Sequence, residues 1–83
     1  MMFRAEINVM PLKALLDPQG KAISASMKNL ELPEITQVRV GKHISLLVEA
    51  DNQDLAREKV ETACKKLLAN PIMEYYEFEL FDE

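Results

Sequence analysis

The chain has 83 residues, room for one domain over residues 1–83, and its 48% hydrophobic and 29% charged residues give a globular rather than a disordered composition. A domain of this size has a marginal core, which self-association would help. The net charge of −4, with a pI near 5.0, excludes a nucleic-acid backbone or an anionic membrane as the main partner, because both need clustered Lys and Arg.

From Met2 to Val9 the residues alternate. Phe3, Ala5, Ile7 and Val9 face one way and Arg4, Glu6 and Asn8 the other, the pattern of a half-buried strand. Pro11 cannot continue a central ladder, and Lys13 to Leu16 form a connection. Asp17-Pro18 reads as a helix start, with Asp17 capping free N–H groups and Pro18 at the first helical position. Ile23, Met27 and Leu30 follow as a narrow apolar stripe, and Pro33 ends any further helix. Thr36, Val38 and Val40 alternate as a second strand, Gly41-Lys42 is a tight-turn candidate, and Ile44, Leu46 and Val48 alternate as a third strand. The short spacing across Gly41 predicts a hairpin. Asp51-Asn52-Gln53-Asp54 opens a second helix. Its buried face is Ala56, Val60, Ala63, Cys64, Leu67 and Leu68, and Asn70-Pro71 stops it. A last strand runs from Met73 to Leu80, with Tyr76, Phe78 and Leu80 inward and Glu77 and Glu79 outward.

The order β-α-β-β-α-β is the split pattern of ferredoxin-like folds, an α+β class with an antiparallel sheet and both helices on one face. The other face carries Arg4, Glu6, Asn8, Met10, Ile35, Gln37, Arg39, His43, Leu47, Glu49, Tyr75, Glu77 and Phe81. Large apolar groups among charges suit a protein-contact surface. An aromatic-rich last strand at a sheet edge invites pairing with another chain, so an oligomer-extended sheet is expected.

Candidate chemistry is sparse. His43 is the only histidine and stands right after a turn, so a surface or interface role is favoured over a general base. Cys64 falls on the apolar stripe of the second helix and reads as a small buried hydrophobe; alone it makes neither an internal disulfide nor a zinc site. The acids Glu74, Glu77, Glu79, Asp82 and Glu83 read as a solvated face and tail rather than an acid–base pair or magnesium site. Gly41-Lys42 lacks the remainder of a phosphate loop. Gly20, in the first helical turn, leaves three readings open: a frayed turn, a bare backbone for close approach by a partner, or an anion at the helix N-terminus, which Asp17 would repel. No apolar run approaches the roughly 18 residues of a spanning helix. The opening Met-Met-Phe-Arg-Ala-Glu has an acid where a signal peptide would be apolar. A soluble cytoplasmic protein is therefore expected.

Three pieces taken together say more. Leu16-Asp17-Pro18-Gln19-Gly20, preceded by Lys13, is followed by Val38-Arg39-Val40-Gly41-Lys42. Ala63-Cys64-Lys65-Lys66-Leu67-Leu68-Ala69-Asn70-Pro71 comes next, and then Glu74 and Tyr76. In this order and spacing they resemble the PurS-type small subunit of phosphoribosylformylglycinamidine synthase over nearly the full length. Met10-Pro11-Leu12, an unusual strand exit, and Lys65, where the family commonly has an acid, depart from the pattern. The resemblance implies a non-catalytic subunit with no cofactor or metal of its own. Its enzyme makes formylglycinamidine ribonucleotide in de novo purine biosynthesis, using ATP, Mg and glutamine. The small subunit would bridge a synthetase subunit and a glutaminase subunit so that ammonia passes between them, and would itself be a homodimer or dimer of dimers. The expected partner or oligomer interface comprises Lys13, Asp17, Pro18, Gln19, Gly20, Arg39, Gly41, Lys42, Leu47, Tyr75, Glu77 and Phe81. The main rival is a small-metabolite-sensing regulatory domain on the same plan, against which the lack of a Gly-rich turn after the first strand weighs. An acylphosphatase-type enzyme would need an Arg and an Asn at the first loop. An RNA-binding module would need stacked aromatics on central strands, where Arg4, Glu6, Ser45 and Leu47 stand.

Overall fold

A computed structural model describes residues 1–13 and 17–83; the connection through residues 14–16, and with it Leu16 of the Leu-Asp-Pro-Gln-Gly run, lies outside the described residues. Strands β1 (Met2–Pro11), β2 (Lys42–Glu49) and β3 (Glu74–Asp82) form an antiparallel sheet in the order β2-β1-β3. Helices α1 (Pro18–Met27) and α2 (Gln53–Ala63) lie between them in sequence, α1 ending in a short 3₁₀ turn (Lys28–Leu30) and α2 in a π-turn (Cys64–Leu68).

The alternation of β1 sets the core. Phe3, Ala5, Ile7 and Val9 are all buried, and the neighbouring strands contribute Ile44, Leu46 and Val48 on one side and Tyr76, Phe78 and Leu80 on the other. Each fully buried large side chain, such as Phe3, Ile7 or Val60, contributes about 1.5–3 kcal/mol. α2 covers this face with Ala56, Val60 and Cys64. Its N-cap is Asn52, whose side-chain oxygen accepts from the Leu55 N–H at 2.9 Å.

The α+β class, the antiparallel sheet and β3 at an edge agree with the sequence expectation. Several particulars differ. The Val38–Val48 hairpin does not form: residues 35–40 make no ladder, and Gln37 breaks them with φ 56. Gly41 has no positive φ and is not a turn residue. A Cβ there would collide with the Val9 carbonyl and Met10 Sδ, so glycine is required for close passage over the end of β1. β1 continues through Pro11, which pairs with Glu74 of β3. It can do so because β1 has lost its β2 neighbour after Val9, so the missing N–H costs nothing on that side.

Leu67 is 81% exposed, not buried. The wide turn, closed by the Ala69 N–H on the Cys64 carbonyl at 3.0 Å, passes the inward position to Leu68.

The two helices also do not share one sheet face. α1 joins neither core cluster, and its one buried residue is Gly20. It packs instead on residues 35–40, forming a lobe at one end of the sheet. The molecule measures 52 × 26 × 14 Å with a radius of gyration of 16.5 Å, whereas a compact chain of this length has about 12 Å.

Candidate contact surfaces

The first surface is the junction between the lobe and the sheet. Asp17 caps α1, its Oδ1 accepting from the Gly20 N–H at 3.0 Å and its Oδ2 from the Val40 N–H at 3.0 Å. Ser24 Oγ, one helical turn on, accepts from the Val38 N–H at 3.0 Å. The α1 N-cap and one α1 side chain thus satisfy alternate N–H groups of a segment that has no strand partner. The bonds from Gly20 and Val40, with the Arg39 charge nearby, hold the Asp17 carboxyl below its ordinary value of 3.8. A Cβ on Gly20 would collide with the Val38 carbonyl. The close approach that Gly20 permits is therefore by the chain's own residues 38–40, not by a partner, and the helix N-terminus is filled by the Asp17 carboxylate rather than an external anion. Arg39 anchors the junction to the sheet by donating from Nη2 to the Pro11 carbonyl oxygen. Lys13, Gln37, Val38 and Arg39 line a shallow cleft of about 290 Å³ beside it. Pro18 and Gln19 are exposed on the first turn of α1, and Lys42 is exposed at the start of β2.

The second surface is the open sheet face. Register places Arg4 between Leu47 and Phe81, Glu6 between Ser45 and Glu79, and Asn8 between His43 and Glu77, with Tyr75 beside Met10. The Arg4 guanidinium lies 4.8 Å from the Phe81 ring centre and donates to Glu83 at 2.9 Å. Glu6 accepts from Ser45 Oγ at 2.5 Å and meets His43 Nε2 at 3.2 Å, and both bonds lower its carboxyl pKa below 4.5. His43 Nδ1 lies 2.7 Å from Asn8 Oδ1. Both His43 ring nitrogens thus hold neighbouring side chains in place. Leu47 at 59% exposure and Phe81 at 39% put apolar area beside these charges. Ile35, Gln37 and Arg39, expected on this face, belong to the lobe instead.

The twelve expected interface residues therefore fall into two groups. Asp17, Gly20, Arg39 and Gly41 converge at the junction, with Lys13, Pro18, Gln19 and Lys42 around it. Leu47, Tyr75, Glu77 and Phe81 lie on the sheet. Chemically the two surfaces offer hydrogen bonding, charge and apolar area. Cys64 is buried, and desolvation together with the nearby Glu61 pushes its thiol pKa up, away from a reactive thiolate. Among the described residues no three His, Cys, Asp or Glu side chains are grouped to hold a metal ion.

Sequence reasoning missed the Ser24 bond to Val38, because a mid-helix serine has no spacing signal. It also missed an apolar cleft of about 510 Å³ lined by Cys64, Lys65, Ala69, Pro71, Glu74, Tyr75 and Tyr76. Cys64 reads as core, Tyr75 and Tyr76 as strand and Pro71 as a helix stop, so no spacing signal marks a cleft.

Comparison with known proteins is consistent along the whole chain. The family profile for PurS, phosphoribosylformylglycinamidine (FGAM) synthase, matches residues 4–82. The phosphoribosylformylglycinamidine synthase subunit PurS of Bacillus subtilis is 34% identical over 79 residues, covering 95% of this chain and 93% of the relative. That of Methanocaldococcus jannaschii is 33% identical, covering 95% of each. Among solved structures, Bacillus subtilis PurS superposes with a TM-score of 0.86 at 32% identity, over 96% of this chain and 99% of that one. A chain of PurLQS from Thermotoga maritima gives 0.87 at 34% identity, over 98% and 99%. At such coverage the likeness includes the lobe as well as the sheet.

Proposed function

The chain belongs to the PurS family, the small subunit of the purine-biosynthetic phosphoribosylformylglycinamidine synthase, and from that premise we propose that it is the non-catalytic bridge between the synthetase and glutaminase subunits of that enzyme. The observation that carries this reading is the likeness, over nearly the whole length of both chains, to a chain of the Thermotoga PurLQS structure. The two surfaces above support it, because they combine positioned charge with exposed apolar area, which suits protein contact. On this reading ATP, Mg and glutamine are used by the larger subunits and none is bound by this one. The bridge orders the two larger surfaces so that ammonia passes between their sites. It works in the cytoplasm as a homo-oligomer; no described helix is long and apolar enough to cross a membrane. Nothing supports the metabolite-sensing alternative.

The test is reconstitution with synthetase and glutaminase subunits in the presence of glutamine and Mg-ADP, following assembly by light scattering and, with ATP, glutamine-dependent activity. Complex formation and activity that both require this chain are expected. Turnover of glutamine by the two larger subunits without it would overturn the bridging role. The Arg39→Glu/Lys42→Glu double variant is expected to weaken assembly; unchanged assembly would remove the junction from the contact surface.

A further inference from the structure

The shallow cleft beside the lobe–sheet junction is lined by two cations, Lys13 and Arg39, with Gln37 and Val38, and by no acid. The apolar cleft, by contrast, has Glu74 in its wall, and the small polar cleft of the open sheet face has Glu6, Glu77 and Glu79. Positive charge gathers at the junction end of the chain. Residues 10–42 hold five of the ten Lys and Arg side chains but only three of the fourteen Asp and Glu. Of those three, Asp17 has both carboxylate oxygens turned onto the Gly20 and Val40 N–H groups, and it does not line the cleft. Arg39 is held in place: its Nη2 donates to the carbonyl oxygen of Pro11, which β3 fixes through Glu74. A guanidinium has five N–H donors. The bond to Pro11 is the only one Arg39 makes with its side chain among the described residues, so most of the fork is left for a ligand. Neither Arg39 nor Lys13 has an ion-pair partner among the described residues. The backbone adds donors. Val38 and Val40 give their N–H groups to Ser24 and Asp17, whereas those of Gln37 and Arg39 have no partner among the described residues. Gln37 also holds φ 56, a left-handed conformation that side chains disfavour. Glu31, the other such residue, closes the end of α1. Gln37 closes no element, and its place in the cleft wall gives the strained turn a use.

We propose that this cleft is a binding site for a phosphoryl dianion, with Arg39 as the fixed fork, Lys13 as the second charge, and the Gln37 side chain and the spare N–H groups of the segment completing the donor set. This goes beyond the bridging role and does not depend on it. The chemistry selects phosphate among anions. A phosphate monoester carries a charge of about −1.5 to −2 at pH 7, which two cations match, and its oxygens accept parallel bonds from a guanidinium. A carboxylate would leave one of the two cations uncompensated. A nucleic-acid backbone is excluded, because its further phosphates would run onto the acid-rich remainder of the chain. A shallow space of about 290 Å³ is at the small end of ligand pockets, and it suits one phosphoryl group with a small organic remainder. The site is distinct from the N-terminus of α1, which Asp17 fills.

The experiment titrates the full chain, followed by amide NMR at constant ionic strength, with inorganic phosphate, ribose 5-phosphate and, for comparison, acetate. Both phosphates are expected to give saturable shifts, half-maximal in the millimolar range and centred on the Gln37, Val38 and Arg39 amides. Acetate is expected to give none that saturate. Lys13→Gln and Arg39→Lys are each expected to weaken phosphate binding by roughly tenfold, the effect of losing one charge-assisted contact. Lys66→Gln, the same charge change on the exposed π-turn, is expected to leave binding unchanged. If Arg39→Lys loosens the joint with Pro11, Lys13→Gln carries the test, because Lys13 makes no hydrogen bond with its side chain among the described residues.

Tighter binding of ribose 5-phosphate would assign the site to a phosphate ester, and equal or tighter binding of the inorganic ion to free phosphate; either carries the proposal. Shifts that do not saturate, that acetate reproduces, or that centre on other residues would overturn it. So would an affinity unchanged in Lys13→Gln, or one that falls as much in Lys66→Gln, since the chain's overall charge and not the cleft would then attract the ion. None of these outcomes bears on the bridging role, which is read separately from assembly with the two larger subunits.

Discussion

At the residue scale, Asp17 and Gly20 form one device. The carboxylate joins the start of α1 to Val40, and the absent side chain of Gly20 lets Val38 lie close enough for the joint to form. Gly20→Ala should therefore cost more than a helix-propensity difference, which would favour alanine. A forced overlap with backbone gives a loss of about 1–3 kcal/mol, read as a lower denaturation midpoint in urea. A midpoint equal to or above the wild type would show that the close approach is not needed. The Asp17 carboxyl has its pKa lowered on folding, so its contribution is present above the ordinary value of 3.8 and is lost as pH falls through the lower folded value. Acid titration followed by amide NMR should show the Gly20 and Val40 N–H signals moving together, with a midpoint below pH 3.8. In Asp17→Asn that common transition should vanish. Separate midpoints would mean that the two bonds are not made to one carboxylate.

At the element scale, the ends of helices and strands decide what the sequence does and does not reveal. The Tyr76 hydroxyl donates to Glu61 at 2.5 Å and fastens α2 to β3; that bond and partial burial raise the phenol pKa to about 12. A raised pKa means stability fully present below the unfolded value near 10 and lost as pH climbs through about 12. Tyr76→Phe should cost about 1 kcal/mol at neutral pH and should lack that alkaline loss; urea midpoints at pH 7 and pH 11 measure both effects. The lobe's helix ends in a reciprocal cap: Leu32 N–H bonds the Met27 carbonyl at 2.9 Å and Glu31 N–H the Lys28 carbonyl at 3.1 Å, with Glu31 at φ 60. Glycine suits that conformation, so Glu31→Gly should stabilise the lobe by roughly 0.5–1 kcal/mol, seen as slower amide exchange from Ile23 to Leu30. Faster exchange would count against the cap. Because Glu31 stands where Gly or Asn usually signals a helix end, the sequence offered only Pro33 as a stop. The strands were legible wherever one face is buried, since Phe3, Ala5, Ile7 and Val9 need a period of two. Thr36, Val38 and Val40 show the same period, but the Val38 N–H goes to Ser24 of α1, the Val40 N–H to its N-cap Asp17, and Gln37 breaks the run, so alternation alone misled. The junction residues were legible as a motif, and their roles were not, because the partner of Gly20 is a carbonyl nearly twenty residues away.

At the scale of the whole molecule, the chain is too long in space for its length in residues. A radius of gyration of 16.5 Å leaves a thin sheet unit, one helix on its face, and a lobe held mainly at the Asp17–Val40 and Arg39–Pro11 joints. Burial within one copy is confined to the small clusters around β1 and α2, so a second copy should supply a large share of the stability. If folding and association are one process, mass action ties the melting temperature to protein concentration. A tenfold dilution then removes about 1.4 kcal/mol. For a cooperative unit the size of two chains, that lowers Tm by roughly 3–6 °C. A melting temperature constant over two decades of concentration would mean that the elongated monomer is stable by itself. Gly20→Ala should lower Tm at every concentration and keep the slope. The slope of Tm against concentration therefore separates what holds a protomer together from what holds two protomers to each other.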